Sequence, residues 1–489
     1  MLTVLLFLPA VGAALVATLP QARERDARWV ALGVSVSTFA LAAIVFATLD
    51  RDVEGYQLID RFEWIRAGDA GFSVQYALGV DGLSAPLVLL NGLLTSVAVL
   101  VSFGITERPR AYFAWLLVLE TAVMGVFLSL DLLQFFVFWE LELLPMYLLI
   151  RGWGSGRREH SAMKFVLYTL TGSAFMLVGF LVLGLEAGTF DIEALTAAPV
   201  TDALIPLSLV FWAVMAAFLV KLPIVPFHTW LPDAHTDAPT AVSVMLAGVL
   251  LKMGGYGILR IALPLLPGEA REFHVVLAVL AGVSVLYGAV ITLRQRDLKR
   301  LVAYSSVSHM GYVLLGVSAL GTVGLSGAAL QMFTHGAITG LLFVTVGLIY
   351  DRTHTREISE LRGLMHQMPL IGVVMLVAGL ASLGLPALAG FVAEFTVFLG
   401  ALQAHPAATI AGVVGVVLAA GYILWTVERV FTGPPVERWR DLTDATAWWE
   451  RAAMGSLVVV IVAVGIFPRP LTDMVEQGVA PIAALVGAT

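Results

Sequence analysis

Apolar residues run in long blocks along this chain, and polar residues gather in short breaks between them. Fourteen blocks stand out, near 2–19, 28–49, 84–104, 112–130, 132–150, 163–184, 206–228, 238–263, 274–293, 300–319, 325–350, 369–398, 406–431 and 449–467. Each holds about 17–30 residues, enough for a helix to cross a bilayer, with the longest tilted or interrupted. The pattern predicts an all-α polytopic membrane protein of about fourteen transmembrane helices. Spans 7 and 12 are expected to be broken, at Leu222–Pro223 and at Leu385–Pro386. A proline lacks the backbone donor and clashes with the carbonyl four residues back. The carbonyls of Leu219 and Leu222 are therefore expected to lose their helical partners. The two breaks lie five helices apart, an odd number. This predicts two five-helix units inverted across the membrane. The expected organisation is helices 1–3 in residues 1–104, the first unit (helices 4–8) in 112–263, the second (helices 9–13) in 274–431, and helix 14 with its tail in 449–489. The stretch near Asp50–Leu83 reads as the longest loop, too short and mixed to form a domain.

Composition sharpens this reading. With 59% hydrophobic and 13% charged residues, the 489-residue chain falls outside the soluble range. Cysteine is absent, so the chain cannot supply cysteine ligands to iron–sulfur clusters, CxxCH haem attachment or disulfides. No basic tail points to nucleic acid. Lys and Arg collect after odd-numbered spans, as in Arg23, Arg25 and Arg28, Arg157 and Arg158, Arg294 to Arg300, and Arg438 and Arg440. By the positive-inside rule those loops are cytoplasmic and both termini lie outside. Met1–Leu19 lacks a basic leading region, so it reads as a retained first helix.

Charges inside the apolar blocks carry the chemistry. A charge at the bilayer centre costs on the order of 3 kcal/mol or more, so such residues face a wet or paired interior. Of the four lysines, Lys221 and Lys252 lie inside consecutive spans, 7 and 8. Lys221 precedes Pro223 and Pro226 and would close the first half of a broken helix, where the dipole favours a cation. Lysine is also the basic side chain whose proton affinity falls most readily on burial. Glu140 sits near the middle of span 5. Glu142 lies about 200° further round an ideal helix, so the two cannot share a face. Glu394 would begin the second half of span 12, where the dipole favours an anion. His309 in span 10 and His335 in span 11 can relay protons near neutral pH. Static ion pairs, a helix cap at Glu394 and neutral packed histidines are the structural alternatives. A paired-histidine haem site finds little support. A metal at Asp233, His235 and Asp237 fits no standard spacing.

With these residues in place, the chain resembles the antiporter-like membrane subunits of respiratory complex I, and more narrowly the M type, the counterpart of mitochondrial subunit 4. The matching segments are FWELELLPMYLLI (138–150), VKLPIVPFHTWLPDAHTDAPTAVSVMLAGVLLKMGGYGILR (220–260), DLKRLVAYSSVSHMGYVLLG (297–316), QMFTHG (331–336), HTREISELRGL (354–364) and LGLPALAGFVAEF (383–395). The resemblance implies a proton channel through Glu140, Lys221, Lys252, His309, His335 and Glu394. A glutamate at 394 is typical of the M type, and the chain lacks the long lateral helix of the L type. Val242 departs from the glycine expected there. The resemblance places Glu140, not Glu142, beside Lys221. It implies that NADH, FMN, iron–sulfur clusters and quinone belong to partner subunits, with no cofactor or metal in this chain. The expected neighbours are the L- and N-type subunits and the lipid of a bacterial inner membrane, with both termini periplasmic.

The leading reading is thus a proton-translocating subunit of NADH:quinone oxidoreductase. The alternatives are a subunit of a multi-subunit cation/proton antiporter and a structural scaffold. The charge asymmetry makes one direct prediction. A reporter fused at Gly154–Arg158 reads cytoplasmic and one at Glu186–Asp202 reads external. The opposite result would discard the orientation and the inverted units with it.

Overall fold

The computed structural model describes residues 1–53, 55–67 and 72–487. Helices dominate. In chain order they are α1 (Leu2–Ala17), α2 (Ala27–Thr48), α3 (Ser84–Val101), α4 (Pro109–Leu128), α5 (Leu132–Leu141), α6 (Leu143–Trp153), α7 (Arg158–Ala187), α8 (Ile192–Ala197), α9 (Leu207–Lys221) and α10 (Trp230–Asp237). Next comes one long interrupted helix, Thr240–Leu265, in which α11 (Thr240–Met245), α12 (Leu251–Gly257) and α13 (Leu263–Leu265) are separated by π-turns at Leu246–Leu250 and Ile258–Ala262. The remainder are α14 (Pro267–Leu293), α15 (Leu298–Ser318), α16 (Thr322–Thr353), α17 (Pro369–Ser382), α18 (Ala389–Ala401), α19 (Pro406–Phe431), α20 (Trp448–Ile466) and α21 (Arg469–Val486).

Among the described residues, eleven helices are long and apolar enough to cross a membrane, and α1, α9, α17 and α18 are shorter apolar helices. The most hydrophobic windows of Thr240–Leu265 and α16 are wholly enclosed by protein, and that of α15 nearly so, whereas that of α20 is 22% buried. Thr240–Leu265, α15 and α16 therefore form the centre. The helices that leave much of their apolar surface uncovered, such as α2, α19 and α20, form the rim.

Two expectations need correction here. The chain is not all-α. Within the stretch expected as a loop, β1 (Gln57–Ala67) pairs antiparallel with β2 (Phe72–Val80), with Phe62 opposite Tyr76 and Gln57 opposite Val80. In β2, Val74 and every residue from Ala77 to Val80 are buried, so the end of this strand is covered by protein on both faces. The expected tail is α21, whose Gly478 packs against the backbone of Gly82 and Leu83.

The ends of several helices are fixed by aspartate caps. Asp131 accepts from Leu133 N (2.9 Å) and Gln134 N (3.1 Å), and Asp297 accepts from Lys299 N (2.8 Å) and Arg300 N (3.0 Å). Beside each cap the backbone forms the same bridge. Leu132 N donates to Phe190 O (2.9 Å) and Ile192 N to Leu130 O (2.8 Å). Leu298 N donates to Arg356 O (2.9 Å) and Ile358 N to Arg296 O (2.7 Å).

The two proline breaks are also built alike. α9 stops at Lys221, and α17 stops at Ser382. Ile224 N reaches back to Leu219 O (3.0 Å), and Leu385 N to Leu380 O (3.1 Å). The Leu219 carbonyl thus keeps a donor, contrary to expectation, through the wider loop that commonly closes a helix. Trp230 Nε1 donates to Val220 O across the break (3.0 Å).

Gly254 sets the approach of the two lysine-bearing helices. A Cβ there would stand 2.6 Å from Phe218 O and 2.7 Å from Leu222 N. Both atoms belong to the backbone at the end of α9 and cannot yield cheaply. Gly254→Val should therefore destabilise by about 3 kcal/mol or more, beyond ordinary overpacking. The check is the amount of full-length chain in membranes and its midpoint of thermal unfolding in detergent. Gly268→Ala, where nothing lies within 4 Å, is the control and should behave as wild type.

Candidate proton path

Span 5 does not run as one helix. Pro145 offers no donor to the Leu141 carbonyl, and α5 ends at Leu141 while α6 begins at Leu143. Glu142 lies at this junction. Its carboxylate is fully buried and accepts a hydrogen bond from Lys221 Nζ in a buried ion pair. The Lys221 ammonium also stands 5.5 Å from the Trp139 ring centre and 5.2 Å from that of Phe165. Glu140 is only half-buried. It hydrogen-bonds with Ser173, lies within electrostatic reach of Lys221 and Glu142, and leaves Oε1 unpartnered. The expected pairing of Lys221 with Glu140 is thus corrected: the direct partner is Glu142. Because the helix breaks at Glu142, ahead of Pro145, Glu140 and Glu142 do not keep the bearings of an ideal helix.

Lys252 lies between the two π-turns of the central helix. Such turns place one residue too many in the helical circuit and re-aim the side chains that follow. Lys252 Nζ donates to Ala247 O of its own helix and meets His335 Nδ1 of α16 at 2.8 Å. When Lys252 donates there as an ammonium, Nδ1 presents its lone pair and the ring hydrogen sits on Nε2. Among the described residues Nε2 has no hydrogen-bond partner. The two helices approach closely because Gly336, next to His335, faces the backbone of Gly248.

The row continues. The His335 and His309 ring centres are 5.5 Å apart. His309 Nδ1 stands 3.2 Å from Glu394 Oε1, and its Nε2 is 3.1 Å from Ser382 Oγ. Gln331 lies beside Glu394. A cavity of about 10 Å³, lined by these groups, has room for about one water. Glu394 lies in the second turn of α18, so the half-helix dipole faces its charge. Gly384 in the break has φ +74°, and a Cβ there would sit 2.7 Å from Glu394 Oε2. Only glycine meets both conditions.

The structure therefore gathers five of the six expected residues into two groups. Lys221 joins Glu142, and Lys252, His335, His309 and Glu394 form a string of contacts. Glu140 stands beside the first group. Among the described residues no direct side-chain bond joins Lys221 to Lys252, although their helices touch at Gly254. Ser382, Gln331 and Gly384 escape sequence reasoning, because neutral polar residues are common in membrane helices. Pro145, three residues after Glu142, is the signal that would have found the kink. Asp233, His235 and Asp237 diverge. Asp233 pairs with Lys164 at 2.7 Å, Asp237 accepts from Ser161 Oγ at 2.6 Å, and His235 stacks on Phe343 at 4.6 Å.

Residues 129–419 match the family model described as NADH:quinone oxidoreductase/Mrp antiporter, transmembrane. The chain is 40% identical to NADH-quinone oxidoreductase subunit M of Rhodobacter capsulatus, over 98% of this chain and 96% of that one. It is 41% identical to an NAD(P)H-quinone oxidoreductase chain 4 of Thermosynechococcus vestitus, over 99% and 91%. A chain of respiratory complex I from Thermus thermophilus superimposes with a TM-score of 0.88 at 31% identity, covering 100% of both. A chain of the Mrp complex from Dietzia sp. shares the fold, with a TM-score of 0.86 at 24% identity and 99% coverage of both. By its sequence and by its fold, the chain belongs to the NADH:quinone oxidoreductase/Mrp antiporter membrane family.

Proposed function

We propose that this chain is the M-type, proton-translocating membrane subunit of an NADH:quinone oxidoreductase. The observation that carries this reading is the string Lys252–His335–His309–Glu394, with the Lys221–Glu142 pair beside it, all buried in the protein interior. Charged and titratable groups at such depth are costly and mark ion pathways. The chain has no cysteine to bind a cluster, so iron–sulfur centres reside in other subunits, and on this reading NADH oxidation, FMN and quinone reduction do too. Its neighbours are the L- and N-type subunits of the same complex. Fourteen crossings follow when α1, the broken α9 and the α17–α18 pair are added to the eleven long helices. The duplicated backbone bridges and the two similar proline breaks support two inverted five-helix units. The odd-numbered loops are cytoplasmic, and the termini are periplasmic.

The mechanism rests on what burial does to charge. Glu142 accepts a hydrogen bond from Lys221 at the α9 break. Parting the pair strands a cation at a cost of about 3–5 kcal/mol, which drives its proton onward. Lys252 bonds Ala247 O and meets His335 Nδ1 at 2.8 Å, so that nitrogen is the first acceptor within reach of its proton. His309 and Glu394 carry it to the second break.

Two predictions follow from this geometry. Lys221→Ala abolishes or sharply reduces NADH-driven proton uptake by inverted vesicles, normalised to assembled complex. Normal pumping by an assembled mutant would remove Lys221 from the path. Among the glutamates, Glu142→Gln leaves a buried ammonium without its anion. It should lower both pumping and thermal stability, the latter by about 3 kcal/mol or more. Glu140→Gln should lower pumping while leaving stability nearly unchanged, because Glu140 Oε1 already lacks a partner. A Glu142→Gln complex with wild-type pumping and melting would show that the direct pairing is not the resting state.

A further inference from the structure

A buried acid lies outside this path. Glu120, on α4, has no exposed surface, and neither carboxyl oxygen has a partner among the described residues. Its backbone carbonyl accepts from Asn91 Nδ2 at 3.1 Å. Asn91 is equally buried, and its Oδ1 also lacks a donor. The side chain therefore contributes no hydrogen bond to the packing, where an apolar residue would cost less.

Three neighbouring elements place Glu120 at the depth of the proton path. α4 runs antiparallel to α5 and α6. Gly125 packs on the Phe138 ring, and Tyr112 meets Trp153 at 5.3 Å. Counting between these contacts sets Glu120 opposite the α5–α6 junction, level with Glu142. α4 and the central helix run in the same direction, towards the face where Leu130 N meets Ala77 O and Arg260 pairs with Asp81. Tyr256 Oη donates to Phe127 O at 3.0 Å, so Glu120, two turns back from Phe127, falls near the level of Lys252 and its acceptor Ala247. Finally, Leu90 packs on Gly336, next to His335, while the adjoining Asn91 holds the Glu120 carbonyl.

The two lysines inside the membrane spans are committed elsewhere. Lys221 bonds Glu142, and Lys252 bonds Ala247 O and His335. An ionised carboxylate with neither cation nor donor pays a desolvation penalty of several kcal/mol, so Glu120 rests as the neutral acid. A neutral acid at this depth is a stored proton.

We propose that Glu120 is a further proton-holding residue of this chain, which loads and releases a proton through water admitted beside Asn91. In release, the Oε–H bond breaks and an O–H bond forms on the water, which passes a proton on. The remaining carboxylate is later reprotonated from the water chain. This rests on the translocation reading above, and the test separates the two.

The experiment compares wild type, Glu120→Gln and Lys221→Ala in assembled complex, by NADH-driven proton uptake in inverted vesicles and by infrared difference spectroscopy during turnover. Glutamine keeps the shape but holds no exchangeable acid proton. The expected result is a several-fold loss of pumping in Glu120→Gln, with loss of the carbonyl-stretch band of a protonated carboxylic acid, and restoration of both by Glu120→Asp. Normal pumping by Glu120→Gln beside a failing Lys221→Ala overturns this proposal alone, whereas normal pumping by Lys221→Ala overturns the translocation path. Reduced pumping with the acid band intact assigns the loss to packing and overturns the proposal. Failure of Glu120→Gln and Glu120→Met alike to assemble gives Glu120 a structural role and also overturns it.

Discussion

A charge inside a membrane protein has to be answered by another polar group, and that requirement orders everything at the centre of this fold. Lys221 is answered by Glu142, and Lys252 by a backbone carbonyl and an imidazole. Glu394 is answered by His309. None of these partners comes from the same helix turn, except Ala247 for Lys252. The helices must therefore be brought together at fixed places, and small residues do this. Gly254 admits the end of α9, and Gly336 and Gly248 admit α16 to the central helix.

The same requirement applies to the main chain. A helix stopped by proline leaves carbonyls that water would satisfy elsewhere, and in the bilayer interior only protein can do so. Both breaks answer with a wide turn back to the last helical circuit. Trp230 adds a side-chain donor at the first, and a left-handed glycine turns the chain at the second. The breaks therefore do two things together. They end helix dipoles beside Lys221 and Glu394, and they keep the backbone in place without solvent.

Much of this is legible in the residues. Apolar blocks of spanning length reveal the membrane helices, and a lysine or histidine within such a block is conspicuous. Lys221, Lys252, His309, His335 and Glu394 are found this way. The choice between Glu140 and Glu142 is not, because it turns on a local kink that shifts each residue's bearing. The β1–β2 hairpin is hidden for a different reason. Its strands mix charged and apolar residues, so an average over the window falls below that of the spans on either side. Glu120 is as visible in composition as Glu394, but no break, glycine or neighbouring charge draws attention to it.

The twin bridges at Asp131 and Asp297 are made by main-chain amides and carbonyls. Any non-proline residue supplies those atoms, so the bridges place almost no demand on side-chain identity. Ancestral halves could exchange nearly every residue around them and still meet in the same way. An ancient doubling of this chain would then survive as geometry long after it had faded from the alphabet. Such backbone bridges, rather than shared letters, are where a match between two halves of a membrane protein is to be sought.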